Sequence, residues 1–245
     1  GLSWKISDVG MNFQRVGVLA DDFSGAGDVG LAFRAVGMEV EIWTPADGTI
    51  RRPGPDVRVW IIDTESRGLS PKNAARAVRR AVRALSHWKP DFIFKKIDST
   101  LRGPVGAELA AFIETLGLSE PVAFVPAFPR MGRTTVGGRH FVDGVPLHRT
   151  SFGNDPRHPI RSNVLLGILD TSWSSGSQRQ NVETREGVWG MDVESDRDMG
   201  RVARRVLEGG RVAVGSAGFA AALAREMGET VFHHRPRSGK MRNRA

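Results

Sequence analysis

The sequence predicts a three-layer α/β fold, a mostly parallel sheet with helices on both faces. Short apolar runs of strand length alternate with longer stretches of helical period, the order that parallel strands joined by crossover helices produce. Polar motifs follow four of those runs, at the strand ends where such sheets bind ligands. A chain of 245 residues, 40% hydrophobic and 25% charged, has the length and composition to bury a sizeable core.

The first run, Val16–Ala20, is apolar throughout and reads as a buried strand. It leads into ADDFSGAGDVG at 20–30, which sets Asp21 beside Asp22 ahead of Gly25, Ala26 and Gly27. Two ionised carboxylates at a strand end are costly unless donors, a cation or a ligand meet them. The glycines would let backbone N–H groups face an anion, and Ser24 is expected to cap a helix over 28–36. An ordinary strand-to-helix turn uses the same residue types.

Residues 38–43 alternate apolar and acidic side chains as a second strand, and the Gly- and Pro-rich 45–55 form a loop. The third strand, 57–62, runs into DTESRGLSP at 63–71. Ser70 and Pro71 are a cap and a first-turn proline, opening a helix that Lys89-Pro90 breaks after Trp88. The fourth strand, 91–97, overlaps KKIDSTLRG at 95–103. Leu109, Phe112, Ile113 and Leu116 share one face of the next helix, which Gly117 ends. A fifth strand, 121–125, enters PAFPRMGRTTVGG at 126–138.

Residues 139–147, RHFVDGVPL, carry the Asp-Gly hairpin signal, and the irregular 150–159 loop could close over a site. A helix is expected at 162–169 and a surface connection without evident chemistry at 170–185. Further strands are expected at 187–193 and 211–215, with helices at 195–207 and 216–227. The whole is Rossmann-like, with a predicted N-terminal extension at 1–14, one α/β domain at 15–228 and a basic, disordered tail at 229–245.

The net charge of +8 does not call for a nucleic acid, because the tail from Glu229 holds five basic residues against one acidic and so supplies four of those charges. Arg76, Arg79, Arg80 and Arg83 form one helical stripe, read as a solvated face because no nucleic-acid motif accompanies it. The chain has no cysteine, no apolar run long enough to span a bilayer and no secretory signal, so a cytoplasmic protein without a membrane partner is expected.

Arg67, Lys95, Lys96, Arg102 and Arg133 would give the strand-end cleft cations, and Asp22, Asp63 and Asp98 would give it bases. A small hydroxylated anion would use both, with Ser99 and Thr100 bonding hydroxyls, although structural salt bridges use the same residue types. Adjacent strand residues face opposite ways, so one lysine is expected in the site, and Lys96 shares its phase with Asp98. The histidines lack metal-site spacing; His87, His140, His148 and His158 read as surface or loop residues, with His140 and His158 within possible reach of a substrate. Gly215 and Ser216, opening GSAGFAAALA, could hold a phosphate, and close packing accounts for them equally well.

ADDFSGAGD, DTESR, KKIDSTLRGPVGAEL, PAFPRMGRTTVGGRHFVDGVPL, the 150–159 loop and GSAGFAAALA together resemble the motifs of the four-carbon acid sugar kinase family over about 15–227, specifically its N-terminal sugar-binding domain. The resemblance implies ATP- and magnesium-dependent phosphorylation of a terminal hydroxyl on threonate, erythronate or an oxo derivative. It implies substrate contacts at Asp22, Arg67, Lys96, Ile97, Asp98 and Ser99, to which the same motifs add Asp21, Thr100 and Arg102. Either Asp22 or Asp98 would orient or deprotonate the hydroxyl. The family carries most of its nucleotide site in a further C-terminal domain, and no Walker-type loop stands in for it here. The expectation is a substrate-binding domain incomplete as a kinase on its own, served by a separate nucleotide-binding domain or chain, with homodimers open to it. Alternatives are a non-catalytic acid-sugar binding module and a ribokinase-like sugar kinase, whose GAGD signature SGAGD resembles.

Overall fold

A computed structural model describes residues 13–44, 49–170, 184–185 and 188–233. The apolar runs form strands as their patterning predicts, in the order β1 Val16–Ala20, α1 Phe23–Ala35, β2 Val40–Trp43, β3 Val59–Asp63, α2 Pro71–Trp88, β4 Phe92–Lys96, α3 Val105–Leu116 and β5 Val122–Val125. There follow β6 Arg133–Val136, β7 Arg139–Val142, β8 Val145–Pro146, α4 Leu165–Asp170, β9 Thr184–Arg185, β10 Val188–Gly190, α5 Asp196–Gly209, β11 Val212–Gly215 and α6 Ala217–His233.

The main sheet has the order β2-β3-β1-β4-β11-β5-β10-β9, with seven parallel strands and an antiparallel β9 at one edge. Side chains alternate between two cores. Val16, Val18, Phe92 and Phe94 face the layer of α1, α5 and α6, whereas Leu19, Ile93 and Ile97 face that of α2, α3 and α4. From β1 the chain moves outward to β2 and returns at β3, then crosses to β4 on the other flank of β1. The strand order thus reverses at β1, the position where sheets of this kind place a ligand crevice, beyond the strand's carboxyl end.

A separate three-stranded antiparallel sheet, β6-β7-β8, stands over that end. Both its turns, Gly137-Gly138 and Asp143-Gly144, have positive φ at both central residues (55° and 67°, 50° and 77°), as a tight hairpin requires. The second hairpin follows from its Asp-Gly signal, while β6 is an element that the expected strands did not include. Thr135 of β6 pairs with Val193, and the Asp192 carboxylate accepts from the Gly137 and Gly138 N–H groups at 2.7 and 2.9 Å.

Element boundaries differ in a few places. The helix expected at 162–169 begins only at Leu165, because Val164 is held in an extended bridge to Arg139. The last helix continues to His233, past the expected domain end at 228. Phe13, assigned to the extension, is buried with its ring 5.7 Å from that of Phe92. Residues 1–12 of the extension, 171–183 of the expected connection and 234–245 of the tail lie outside the described residues, and the end of that connection forms β9.

Within the α2–α3 core, Lys95 meets Glu108 of α3 at 2.6 Å, both side chains essentially without solvent. Removing one partner strands a buried charge. Lys95→Met is therefore expected to lower unfolding free energy by roughly 3–5 kcal/mol, and Lys95→Met with Glu108→Leu to recover much of it. Urea denaturation of the wild type and both variants checks this.

Candidate functional site

The crevice beyond β1, β3 and β4 brings together side chains from three motifs. Asp21 and Asp22 leave the end of β1, and Asp22 takes the extended conformation (φ −150°, ψ 161°) that precedes a helix. Its Oδ1 accepts from the Gly25 N–H at 3.0 Å. The expected cap, Ser24, sits instead inside the first turn, exposed; the carboxylate is the better acceptor and lies where the chain first turns. α1 thus starts at Phe23, five residues before the expected 28, and turns its positive end toward the crevice.

Arg67, from the loop after β3, closes on both carboxylates. Its Nε donates to Asp21 Oδ2 at 2.9 Å, and its Nη1 and Nη2 donate to Asp22 Oδ2 and Oδ1 at 2.8 and 2.7 Å. The fork is bidentate toward Asp22. Burial alone would depress the guanidinium, but the charge and hydrogen bond of Asp21, with Asp98 and Asp22 beyond, hold its pKa above the ordinary arginine value.

Lys95 and Lys96 point to opposite faces of β4, as alternation predicts. Lys96 is the lysine that faces the paired aspartates, its Nζ 3.9 Å from Asp21 Oδ1, an oxygen that is buried and has no hydrogen-bond partner. A Cβ on Gly25 would lie 2.5 Å from that Nζ and 2.6 Å from Asp22 Oδ1. The glycine is what lets the ammonium lie against the first turn of α1.

Beyond β4 the chain turns sharply. Ile97 is buried in the α2–α3 core, with its N–H donated to the Gly215 carbonyl at 2.9 Å. Asp98 Oδ2 accepts from Thr100 Oγ1 at 2.6 Å and from Arg102 Nε at 2.6 Å, and Arg102 Nη2 donates to Oδ1 at 3.2 Å. Burial would raise the Asp98 pKa, but the hydrogen bonds from Arg102 and Thr100 and the charge of Arg67 bring it down to about 2. Thr100 is buried, Ser99 is half-exposed, and Leu101 holds a positive φ of 60°. The Arg102 guanidinium also lies over the Phe152 ring at 5.6 Å, joining this turn to the 150–159 loop.

Two readings change at the rim. His140 is not a surface or loop residue but a fully buried member of β7, with Nε2 2.7 Å from the Ser99 carbonyl and Nδ1 3.0 Å from Thr135 Oγ1. Its antiparallel partner Thr135 belongs to the unanticipated β6, and the Gly137-Gly138 pair between RTTV and RHFV is the local hairpin signal that could have found the contact. At Gly215–Ser216, a Cβ on Gly215 would meet the Val125 carbonyl at 2.5 Å. Ser216 is buried, its Oγ donating to the Ala127 carbonyl at 2.5 Å and accepting from the Phe219 N–H at 3.2 Å. That geometry is close packing.

Asp63, at the end of β3, is buried beside this cluster, accepting from the Glu65 N–H at 3.0 Å and facing Thr44 Oγ1 at 3.4 Å. Burial, with the Glu65 carboxylate adding to it, pushes its pKa up to about 7 against the opposing backbone bond. Among the described residues no group of three or more histidines or carboxylates is placed to hold a metal ion, and no helix is long and apolar enough to cross a membrane.

Paired carboxylates, a buried ammonium and hydroxyl-bearing turns thus gather at the strand-order reversal of a parallel sheet, the place where α/β domains of this class bind small ligands. The chain belongs to the four-carbon acid sugar kinase family through a family model described as the sugar-binding N-terminal domain, which matches residues 16–223. It is similar to the D-threonate kinase of Salmonella typhimurium, 32% identical over 229 residues that cover 86% of this chain and 53% of that protein. The D-erythronate kinase of Heliobacterium modesticaldum is 35% identical over 152 residues, 62% of this chain and 35% of that one. A Bordetella bronchiseptica crystal structure, a domain-swapped dimer with bound citrate, superposes with a TM-score of 0.75 at 32% identity, covering 87% of this chain and 57% of that one. The chain spans about half the length of the D-threonate kinases it matches.

The Asp63 shift has a readable sign. Folded Asp63 keeps a proton that the unfolded chain releases near pH 3.8, so its contribution to stability is full below that pH and is lost as pH rises through about 7. Asp63→Asn is expected to flatten the fall of the urea midpoint between about pH 4 and 7, the interval between the unfolded and folded values. An unchanged slope in the variant would overturn the assignment.

Proposed function

We propose that this chain binds the acid-sugar substrate of a four-carbon acid sugar kinase, an acid of the threonate or erythronate type. The observation that carries the reading is the Asp21–Asp22–Arg67–Lys96 cluster at the strand-order reversal of a family sugar-binding domain. Asp22, bidentate to Arg67 yet with a side chain still 22% exposed, is proposed to receive the reacting hydroxyl. Lys96 and the positive end of α1 are proposed to face the substrate carboxylate, and Ser99 the remaining hydroxyls. With four donor contacts and a pKa of about 2, Asp98 suits organising the turn better than taking a proton.

In the kinase reaction ATP and magnesium would supply the phosphoryl group and the charge that eases its transfer. At the Gly215–Ser216 turn the Ser216 hydroxyl is already bonded within the protein, and among the described residues no group of three or more histidines or carboxylates is placed to hold a metal ion. This domain's part is to bind the acid, fix its hydroxyl against Asp22 and surround it with fixed charges. A cytoplasmic setting suits that role and the absence of cysteine. A dimer, as in the Bordetella structure, is compatible with it.

Calorimetric titration with D-threonate, D-erythronate and L-threonate tests the proposal. One acid is expected to bind the wild type, with Asp22→Asn and Gly25→Ala each weakening it by roughly tenfold or more while the melting temperature stays near that of the wild type. Equal affinity in Gly25→Ala would remove Lys96 from the site. No binding of any acid would contradict the reading.

A further inference from the structure

We infer that His140 is a positioning residue of the acid-sugar site: from the small sheet it holds the Ser99 carbonyl and, through it, the turn that presents Ser99 and the Asp98–Arg102 pair. The inference rests on the proposed function for its ligand, but its geometry is independent of that reading. His140 has no solvent-exposed surface and lies between two oxygens, the Ser99 carbonyl at 2.7 Å and Thr135 Oγ1 at 3.0 Å. A carbonyl only accepts, so Nε2 carries the hydrogen; the neutral ring then accepts the Thr135 hydroxyl proton at Nδ1. The pairing fixes both tautomer and ring orientation.

The turn it grips needs an external hold. Leu101 is a bulky residue at positive φ, a conformation that persists only where its surroundings impose it. Within the turn, the Leu101 N–H bonds the Asp98 carbonyl at 3.0 Å and the Arg102 N–H bonds Asp98 Oδ2 at 3.2 Å. Those bonds shape the turn but do not fix it to the rest of the molecule. The ties outward include the packing of Ile97 and Leu101 into the α2–α3 core, the Ile97 bond to Gly215, Arg102 over Phe152, and His140 to Ser99. Only the last acts on Ser99 itself. It also links the site to the small sheet, whose Asp192 and Val193 contacts anchor it to the main domain.

The ring stays neutral in the working range. Burial, with Arg133 beside it, lowers its pKa to about 4 against the opposing Ser99 bond and the charge of Asp98. An imidazole protonated at neutral pH would have to be paired by a carboxylate, and both of its nitrogens here face uncharged oxygens.

The test compares His140→Gln, whose side-chain amide keeps a donor near Nε2, with His140→Phe, which fills the space without one; Thr135→Val removes the orienting hydroxyl should His140→Phe not fold. In the wild type, nitrogen NMR of the ring is expected to show the neutral tautomer protonated at Nε2. His140→Phe is expected to speed amide exchange at Leu101 and Arg102 by roughly tenfold or more and to weaken D-threonate binding by a similar factor, with amides in β1 and β3 unaffected. His140→Gln is expected to restore most of both, and Thr135→Val to show an intermediate loss. Wild-type exchange at Leu101 and Arg102 in both His140→Phe and Thr135→Val would overturn the inference, as would a uniform rise across the domain that His140→Gln does not rescue. If the wild type binds none of the acids, the proposed function fails while the exchange and tautomer measurements still decide the role of His140.

Discussion

One guanidinium makes the strand-end crevice possible. Asp21 and Asp22 are forced together by adjacency, with Asp21 buried, and two carboxylates so placed would repel each other and resist desolvation. Arg67 meets both with three donors from a loop that β3 places beside β1, because the two strands pair in register from Val16–Val59 to Ala20–Asp63. The parallel pairing, the extended backbone at Asp22 and the early start of α1 all converge on that contact. Without the cation, Asp22 could not serve at once as helix cap and as the exposed edge of a binding site.

The rest of the site follows from sheet alternation. β4 pairs with β1 so that Lys96 lies beside Ala20, whose small side chain leaves room above it on the α1 face. The facing Gly25 leaves the remaining room. The same alternation sends Lys95 into the opposite core, where Glu108 offsets its charge. One dipeptide thus carries a cation facing the aspartates and one held in the core, separated by the thickness of the sheet.

Much of this was legible in the chain. The strand runs, the Pro71 start of α2, the ends of α2 before Lys89-Pro90 and of α3 at Gly117, and the opposite facing of Lys95 and Lys96 all rest on local chemistry. The start of α1 was not, because Gly25 and Gly27 lower helix propensity while packing and the Asp22 cap restore it. Nor were the insertion of β11 between β4 and β5 or the burial of His140 against Ser99, which depend on partners dozens of residues away, while β6, signalled by the Gly137-Gly138 pair, was not among the expected strands. Asp22 and Asp98 look alike in sequence, and only the coordinates show that Asp98 is held by one donor contact more and is the more buried of the two.

The measurement that bears most directly on the central claim is a crystal structure of this chain with D-threonate. The acid is expected in the crevice beyond β1 and β4, a hydroxyl within hydrogen-bond distance of Asp22 and its carboxylate facing Lys96. Threonate bound elsewhere on the domain, with Asp22 and Lys96 untouched, would contradict it.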